Sequence, residues 1–246
     1  MGKKSKWVIT PDKFLTTEQV EKVIAHTLTQ RDLAIARANN SQHVKDYYIF
    51  RTFLETGLRC FEFCALTLSD FHGHRLSVRH GKGNRPRTVV LTKSTALLLK
   101  EWLAIRERLG FSLDPSLPLF PSRYGTHYTT RGIQKRVELV FAACGLPEQL
   151  STHSMRHTYC SHLLESGKVG LPTVKENMGH SSISTTNLYS HAVANLDNVE
   201  LYSTPSSHFL QKDELGAAVS TRKSNNSVTT FLRKTNFKRA QPTVCK

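Results

Sequence analysis

Residues 150–167 read LSTHSMRHTYCSHLLESG, and apolar residues recur in this stretch at helical spacing. A hydroxyl residue before such a run and a glycine after it are typical of a helix start and a helix end. We therefore predict a helix with Thr152 as its N-cap that runs to about Glu165 and stops at Gly167. His153 and Arg156 lie three residues apart at its start. They should face the same way, where the positive end of the helix attracts anions.

The chain on either side of this stretch is predicted to be mostly helical. Thr16 and Gln19 fit a capping box that begins a first helix near Thr17. Gly57 is placed to end a second helix in a left-handed cap, and the polar residues 37–43 before that helix predict a loop. Further apolar periodicity predicts helices over residues 47–54, 60–66, 98–109, 133–144, 172–178 and 183–191.

One segment departs from the helical period. From Arg75 the apolar residues alternate with polar ones, and residues 87–91, RTVVL, form a matching strand pattern. The residues between them, HGKGNRP, are rich in turn formers. This pattern predicts a β-hairpin with Lys82 at or near its tip. We expect a mainly α fold with a small antiparallel β-sheet (α+β), in one domain from about residue 14 to residue 200.

The charge balance indicates the kind of partner. The 246 residues include 34 Lys and Arg against 19 Asp and Glu, a formal net charge of +15. Such an excess is typical of proteins that bind nucleic acid. No apolar run approaches the roughly 20 residues that a spanning helix needs, so no membrane is expected. The N-terminus has no apolar centre typical of a secretory signal, and we expect a cytoplasmic protein.

Both ends of the chain are basic. Residues 1–13 carry four lysines and are interpreted as an N-terminal arm. From Pro205 onward Ser, Thr, Asn and basic residues dominate. We interpret residues 201–246 as a basic, flexible C-terminal tail that orders on DNA or on a partner subunit. A solvated tail without a role is an equally good interpretation.

No metal or cofactor is expected. The five cysteines are odd in number and include no Cys-x-x-Cys pair, so buried apolar thiols are favoured over a zinc site. The spacing of His153, His157 and His162 invites a metal interpretation, but no carboxylate pattern accompanies it. The sequence has no GxxxxGK[ST] loop, so ATP is not expected either.

Four stretches together resemble the tyrosine recombinase, or phage integrase, family. They are TGLRCFEFCALTLSDF at 56–71, HGKGNRPRTVVL at 80–91, residues 150–167, and MGHSSISTTNLYSH at 178–191. Their order agrees with the family, as do the three residues from His153 to Arg156 and the nine from His180 to Tyr189. Each motif alone is a weak indication, but four motifs in the right order are specific. The resemblance as a whole extends over nearly all of residues 14–195.

The resemblance implies a role for each matched position. Arg59 and Arg156 match the arginines that clamp the non-bridging oxygens of the scissile phosphate. Glu62 matches the acidic position that supports the arginine site. Lys82 matches the hairpin lysine that acts as general acid toward the 5′-oxygen. Arginine suits the clamp chemically, because its planar fork binds phosphate in two places and stays charged.

The remaining matched positions supply the nucleophile and its helpers. By resemblance, Tyr189 becomes joined to the 3′-phosphate, His153 assists proton movement and His180 hydrogen-bonds the phosphate. Taken singly, Tyr189 fits a packing residue, Arg59 a surface cation and His153 a helix cap. Their joint appearance in the family's spacing favours the catalytic interpretation.

The resemblance implies a site-specific DNA recombinase acting on double-stranded DNA as a homo-oligomer, a tetramer on DNA, with accessory DNA-bending proteins as possible partners. The layout is that of the short members that consist of the catalytic domain alone, since only about thirteen residues precede it. Two rival functions stay open. One is a DNA-binding or regulatory protein that keeps the fold without recombining DNA, and the other is a type IB-like topoisomerase.

Overall fold

The computed structural model describes residues 13–37, 41–79, 86–166, 169–170, 174, 177–178 and 202. The α-helices of this part of the chain are α1 (Thr17–Ala36), α2 (Ser41–Thr56), α3 (Cys60–Ala65), α4 (Lys93–Arg108), α5 (Thr130–Ala143) and α6 (Thr152–Glu165). Strands β1 (Arg75–Val78) and β2 (Arg87–Val90) form one antiparallel pair. The predicted fold class is therefore confirmed. Among the described helices, none combines the length and apolar character that a membrane crossing requires.

Helix α1 begins as predicted and is tied to α6. The hydroxyl of Thr16 accepts a hydrogen bond from the backbone N–H of Gln19 at 3.2 Å, and the Gln19 side chain accepts one from Thr16 at 3.0 Å. The backbone N–H of Leu15, a fully buried residue, donates to the hydroxyl of Thr158 at 2.8 Å. The entry to the first helix is thereby anchored on the helix that carries His153 and Arg156.

Helix α2 is the centre of the core, and every residue from Val44 to Thr56 is buried. Phe53 stacks on Phe63 of α3 with ring centroids 4.3 Å apart. The stack continues through Phe120 to Trp102 of α4 at centroid distances of 5.0 and 5.2 Å. This ladder of rings, together with the burial of α2, holds α2, α3 and α4 in fixed relation.

The predicted loop at residues 37–43 is partly wrong, because α2 already begins at Ser41. The early turn is stabilised by contacts that the local sequence does not reveal. Gln42 donates to Asp46 at 2.8 Å and accepts from the hydroxyl of Tyr128 at 2.8 Å. The contact with Tyr128, which is distant in sequence, is the tertiary contact that overrides the weak helix preference of this polar segment.

The two strands pair antiparallel as predicted, and β1 shows the predicted alternation, with Leu76 and Val78 buried. In β2 the two consecutive residues Val89 and Val90 are both buried, so that strand does not alternate. Leu76 lies opposite Val89 and both are fully buried. Val90 belongs to a buried apolar cluster with Tyr159 and Leu163 of α6 and with Met178. The sheet is therefore packed on the same helix as the N-terminal entry. Lys82 and the rest of residues 80–85 lie outside the described residues.

The start of α6 differs from the prediction by one residue. Ser151 is the N-cap, with extended backbone, and its hydroxyl accepts from the N–H of His153 at 3.3 Å. Thr152 is the first helical residue and is buried. The hydroxyl of either Ser151 or Thr152 could cap the helix. Ser151 is the N-cap because its backbone is extended, whereas the backbone of Thr152 is already helical. The predicted stop at Gly167 and the predicted helix over 183–191 lie outside the described residues.

Gly57 ends α2 in the predicted left-handed conformation, with φ of 60°, and has no room for a side chain. A Cβ there would meet Cδ1 of Tyr159 at 2.4 Å. Strain and overpacking together should make Gly57→Ala cost about 2–5 kcal/mol of unfolding free energy, measured by chemical denaturation. Gly73 is the matched control, because its φ is 65° but nothing lies within 4 Å of an added Cβ. Gly73→Ala should cost only about 1–2 kcal/mol, and equal losses at the two positions would contradict the close approach to Tyr159.

Candidate active site

The structure describes four of the residues predicted from the sequence to form the site: Arg59, Glu62, His153 and Arg156. Lys82, His180 and Tyr189 lie outside the described residues, so their positions stay predictions.

Arg59 and Glu62 are joined at the start of α3. The Glu62 carboxylate accepts from the backbone N–H of Arg59 at 2.8 Å and from Nη1 of the same residue at 2.8 Å. Glu62 is the third residue of the helix, so its side chain reaches back to cap the helix start. The carboxylate is fully buried, while 15% of the Arg59 side chain stays exposed. The buried Glu62 therefore fixes Arg59 by hydrogen bonds, while part of the Arg59 side chain remains exposed to solvent.

A third arginine, which the sequence analysis did not select, completes the surroundings of Glu62. Arg87 of β2 donates from Nη1 to Oε1 at 2.6 Å and from Nη2 to Oε2 at 2.8 Å. Its Nε donates to the backbone carbonyl of Asn177 at 3.1 Å. Arg87 lies in the quoted stretch 80–91, but nothing along the chain links it to a carboxylate 25 residues earlier. No sequence signal pointed to it, because the need of the Glu62 carboxylate for a second cation follows from its burial, which only the structure shows.

The two arginines keep Glu62 ionised. Burial alone would raise the pKa of this carboxyl. The hydrogen bonds and charge of Arg87, and then those of Arg59, outweigh burial and lower its pKa below the ordinary value. Glu62 is thus a fixed anion that neutralises only part of the positive charge around it.

Arg156 of α6 lies beside this group and is almost completely buried. Its Nη1 donates to the backbone carbonyl of Gly57 and its Nη2 to that of Met178. Burial, and then the positive charge of Arg59, lower its pKa to about 10, which leaves the guanidinium charged at neutral pH. Among the described residues no carboxylate forms an ion pair with Arg156. Arg156 and Arg59 are thereby brought together from opposite halves of the chain.

His153 and Arg156 differ in exposure, although both lie in the first turns of α6. His153 is exposed and Arg156 is buried. His157, one turn after His153, is half-buried. Burial lowers the pKa of His157, and the nearby charges of His153, Arg156 and Lys13 lower it further. The start of α6 therefore carries an exposed imidazole, that of His153, three residues from the buried guanidinium of Arg156.

The cluster has an excess of positive charge. Arg59, Arg87 and Arg156 surround one carboxylate, Glu62, and Arg59 retains solvent contact. Partly desolvated guanidinium groups with fixed geometry are suited to bind a phosphate or another oxyanion. In the described part of the chain, no group of three or more His, Cys, Asp and Glu residues is arranged to hold a metal ion. The chemistry this arrangement supports is stabilisation of negative charge on phosphate oxygens.

The cysteines next to this cluster are free thiols. Cys60 is buried and Cys64 is half-buried, and a hydrogen bond between them lowers the pKa of Cys60 and raises that of Cys64. Cys144 and Cys160 are buried and free as well, whereas Cys245 lies outside the described residues.

Comparisons with known proteins identify the family of the chain. Residues 13–195 match the family model described as the phage integrase family. The tyrosine recombinase XerC of Thermodesulfovibrio yellowstonii is 31% identical over 214 residues, which are 84% of this chain and 70% of that protein. XerC of Chromohalobacter salexigens is 36% identical over 146 residues, which are 59% of this chain and 48% of that protein. For most of these relatives the match spans about half of their length.

Solved structures share the fold. XerA recombinase superposes with a TM-score of 0.55 at 20% identity, covering 85% of this chain and 66% of that one. The integrase from mycobacterium phage Brujita gives a TM-score of 0.57 at 18% identity, covering 85% and 64%. XerH site-specific recombinase bound to its difH substrate gives 0.51 at 23% identity, covering 86% and 55%. At these identities the likeness establishes the fold alone.

Proposed function

The chain belongs to the phage integrase family, and from that premise we propose that it is a site-specific DNA recombinase. It cleaves and rejoins DNA strands through a covalent 3′-phosphotyrosyl intermediate. Relatives that match over much of the chain are named tyrosine recombinases. One observation carries the proposal furthest, namely the convergence of Arg59 and Arg156 on one partly exposed cationic site.

In this mechanism the arginines act on the non-bridging oxygens of the scissile phosphate. Arg59 offers a side chain that is partly exposed, and Arg156 supplies a guanidinium that forms no ion pair with a described carboxylate. Their carbonyl and carboxylate partners fix both groups before DNA arrives. Preorganised cations of this kind stabilise the charge that develops as phosphorus becomes five-coordinate.

The covalent step uses residues that the resemblance assigns. The phenolic oxygen of Tyr189 attacks phosphorus and forms the P–O bond to the enzyme, while the bond from phosphorus to the 5′-oxygen breaks. His153 assists removal of the phenolic proton, and Lys82 delivers a proton to the leaving 5′-oxygen. His180 donates a hydrogen bond to the phosphate. Reversal with a different 5′-hydroxyl rejoins the strand, so the bond energy is conserved and no nucleotide cofactor is required.

The proposal extends to partners and layout. We assign the catalytic domain to residues 14–200, with residues 1–13 and 201–246 as basic segments that add DNA contacts. The partner is double-stranded DNA, bound by a homo-oligomer, a tetramer at synapsis, with accessory DNA-bending proteins where the site demands them. We further propose that the protein acts in the cytoplasm. The formal charge of +15 supports binding to the phosphate backbone.

Trapping of a covalent adduct tests this function. Purified protein is incubated with a library of nicked duplexes of randomised sequence, in which cleavage next to the nick releases a short strand and prevents religation. We expect a denaturation-resistant adduct enriched in one inverted-repeat sequence, and a linked peptide that contains Tyr189. Binding without any adduct would favour a regulatory DNA-binding protein. Adducts at all sequences, with relaxation of supercoils and no strand exchange, would favour a topoisomerase.

A further inference from the structure

The strand β2 carries an arginine whose whole fork is used inside the protein. Arg87 binds both oxygens of Glu62 and one backbone carbonyl, and only 8% of its side chain is exposed. Its charged end is therefore not placed to receive DNA. A surface salt bridge contributes little to stability, whereas a buried two-pronged one imposes a definite geometry.

The first contact of Arg87 controls the orientation of Arg59. Glu62 accepts four hydrogen bonds, two from Arg59 and two from Arg87. Without Arg87 each carboxylate oxygen would lose one of its two donors, and only the two hydrogen bonds from Arg59 would hold the carboxylate. The orientation of the Arg59 guanidinium, which depends on its hydrogen bond to that carboxylate, would then be less firmly fixed.

The second contact of Arg87 reaches the neighbourhood of Arg156. Its Nε binds the carbonyl of Asn177, and the next carbonyl along the chain, that of Met178, accepts from Arg156. Asn177 is also joined to the sheet, since its side-chain oxygen accepts from the N–H of Val90 at 3.4 Å. The segment at residues 177–178 is thus held between β2 and α6.

We propose that Arg87 is a positioning residue of the recombinase, which orients Arg59 through Glu62 and Arg156 through the segment at residues 177–178. It acts on the reaction only through those two arginines and does not touch DNA. This inference rests on the proposed function, because it assigns a role in phosphate cleavage.

The test compares Arg87→Gln and Arg87→Lys with wild type in the rate of covalent adduct formation. The substrate is the nicked duplex recovered from the randomised library. We expect both variants to be slower by about 10- to 100-fold, the usual effect of removing a residue that orients a reacting group. Lysine keeps the charge but lacks the two-pronged contact, so it should restore little of the rate.

A second substrate separates positioning from loss of structure. In it the scissile phosphate is replaced by a methylphosphonate, which carries no charge on the reacting phosphorus group. Misdirected arginines matter less for a neutral group, so the deficit of both variants should shrink to within a few-fold of wild type. A smaller folded fraction would lower the rate on both substrates by the same factor.

Arg79→Gln is the control for loss of an arginine–carboxylate bond elsewhere in the sheet region, because Arg79 follows β1 and binds the buried carboxylate of Asp70 at 2.6 Å, with its own side chain 57% exposed. It should cleave at the wild-type rate per folded molecule. The inference is overturned if Arg87→Lys cleaves like wild type, or if the deficit of the Arg87 variants is the same on both substrates. Absence of an adduct with the wild-type protein would instead overturn the proposed function, and this inference with it.

Discussion

Arg156→Ala is expected to lower the rate of covalent adduct formation by about 100- to 1000-fold, while binding to duplex DNA persists. The variant removes a guanidinium that forms no ion pair with a described carboxylate. The negative charge that develops on the phosphate therefore loses a fixed cationic partner. Binding persists because it draws on the basic surface of the whole protein, of net charge +15. Adduct yield against time and a gel-shift titration measure the two quantities separately.

Loss of a buried arginine also weakens the fold, and this effect needs its own control. Arg156→Ala leaves the carbonyls of Gly57 and Met178 without a donor, at about 1–3 kcal/mol each, partly offset by relief of repulsion from Arg59. Arg106 is a matched control, since it is buried and also binds backbone carbonyls, but at the end of α4. Arg106→Ala should destabilise the protein without slowing cleavage per folded molecule. Equal losses of cleavage in the two variants would make Arg156 a structural arginine.

Tyr189→Phe is expected to abolish the covalent adduct completely, with DNA binding unchanged. The substitution removes only the phenolic oxygen, which is the atom that attacks phosphorus in the proposed mechanism. The same trapping assay measures the result, because it detects the protein joined to the released 3′-phosphate. An adduct that survives in Tyr189→Phe would show that another side chain is the nucleophile.

The burial of most other tyrosines makes them poor candidates for the nucleophile. The chain has seven, and the structure describes all except Tyr189. Burial raises the pKa of five of them, which hinders formation of the phenolate. The five are Tyr47, Tyr48, Tyr128, Tyr159 and Tyr202. Tyr124 is 66% exposed and lies in the loop before α5, so Tyr124→Phe is the control that should leave adduct formation intact.

The sequence was sufficient for the features that depend on local pattern. The capping box at Thr16, the left-handed end at Gly57 and the alternation in strand β1 each follow from a few neighbouring residues, and the structure confirms them. The resemblance also selected Arg59, Glu62 and Arg156, which the structure brings together. The catalytic roles of all seven residues stay predictions, and for Lys82, His180 and Tyr189 the positions do as well.

Tertiary structure decided the features that depend on contacts between distant segments. The early start of α2 depends on the hydrogen bond from Tyr128, which lies 86 residues after Gln42 in the chain. The sequence by itself predicted most of the described helices and both strands and, through the family resemblance, proposed Arg59 and Arg156 for the site. Only the folded chain showed that Arg87 is bound to Glu62, because a buried carboxylate takes its partners from whichever strand packs against it, and that packing is not encoded in any local period.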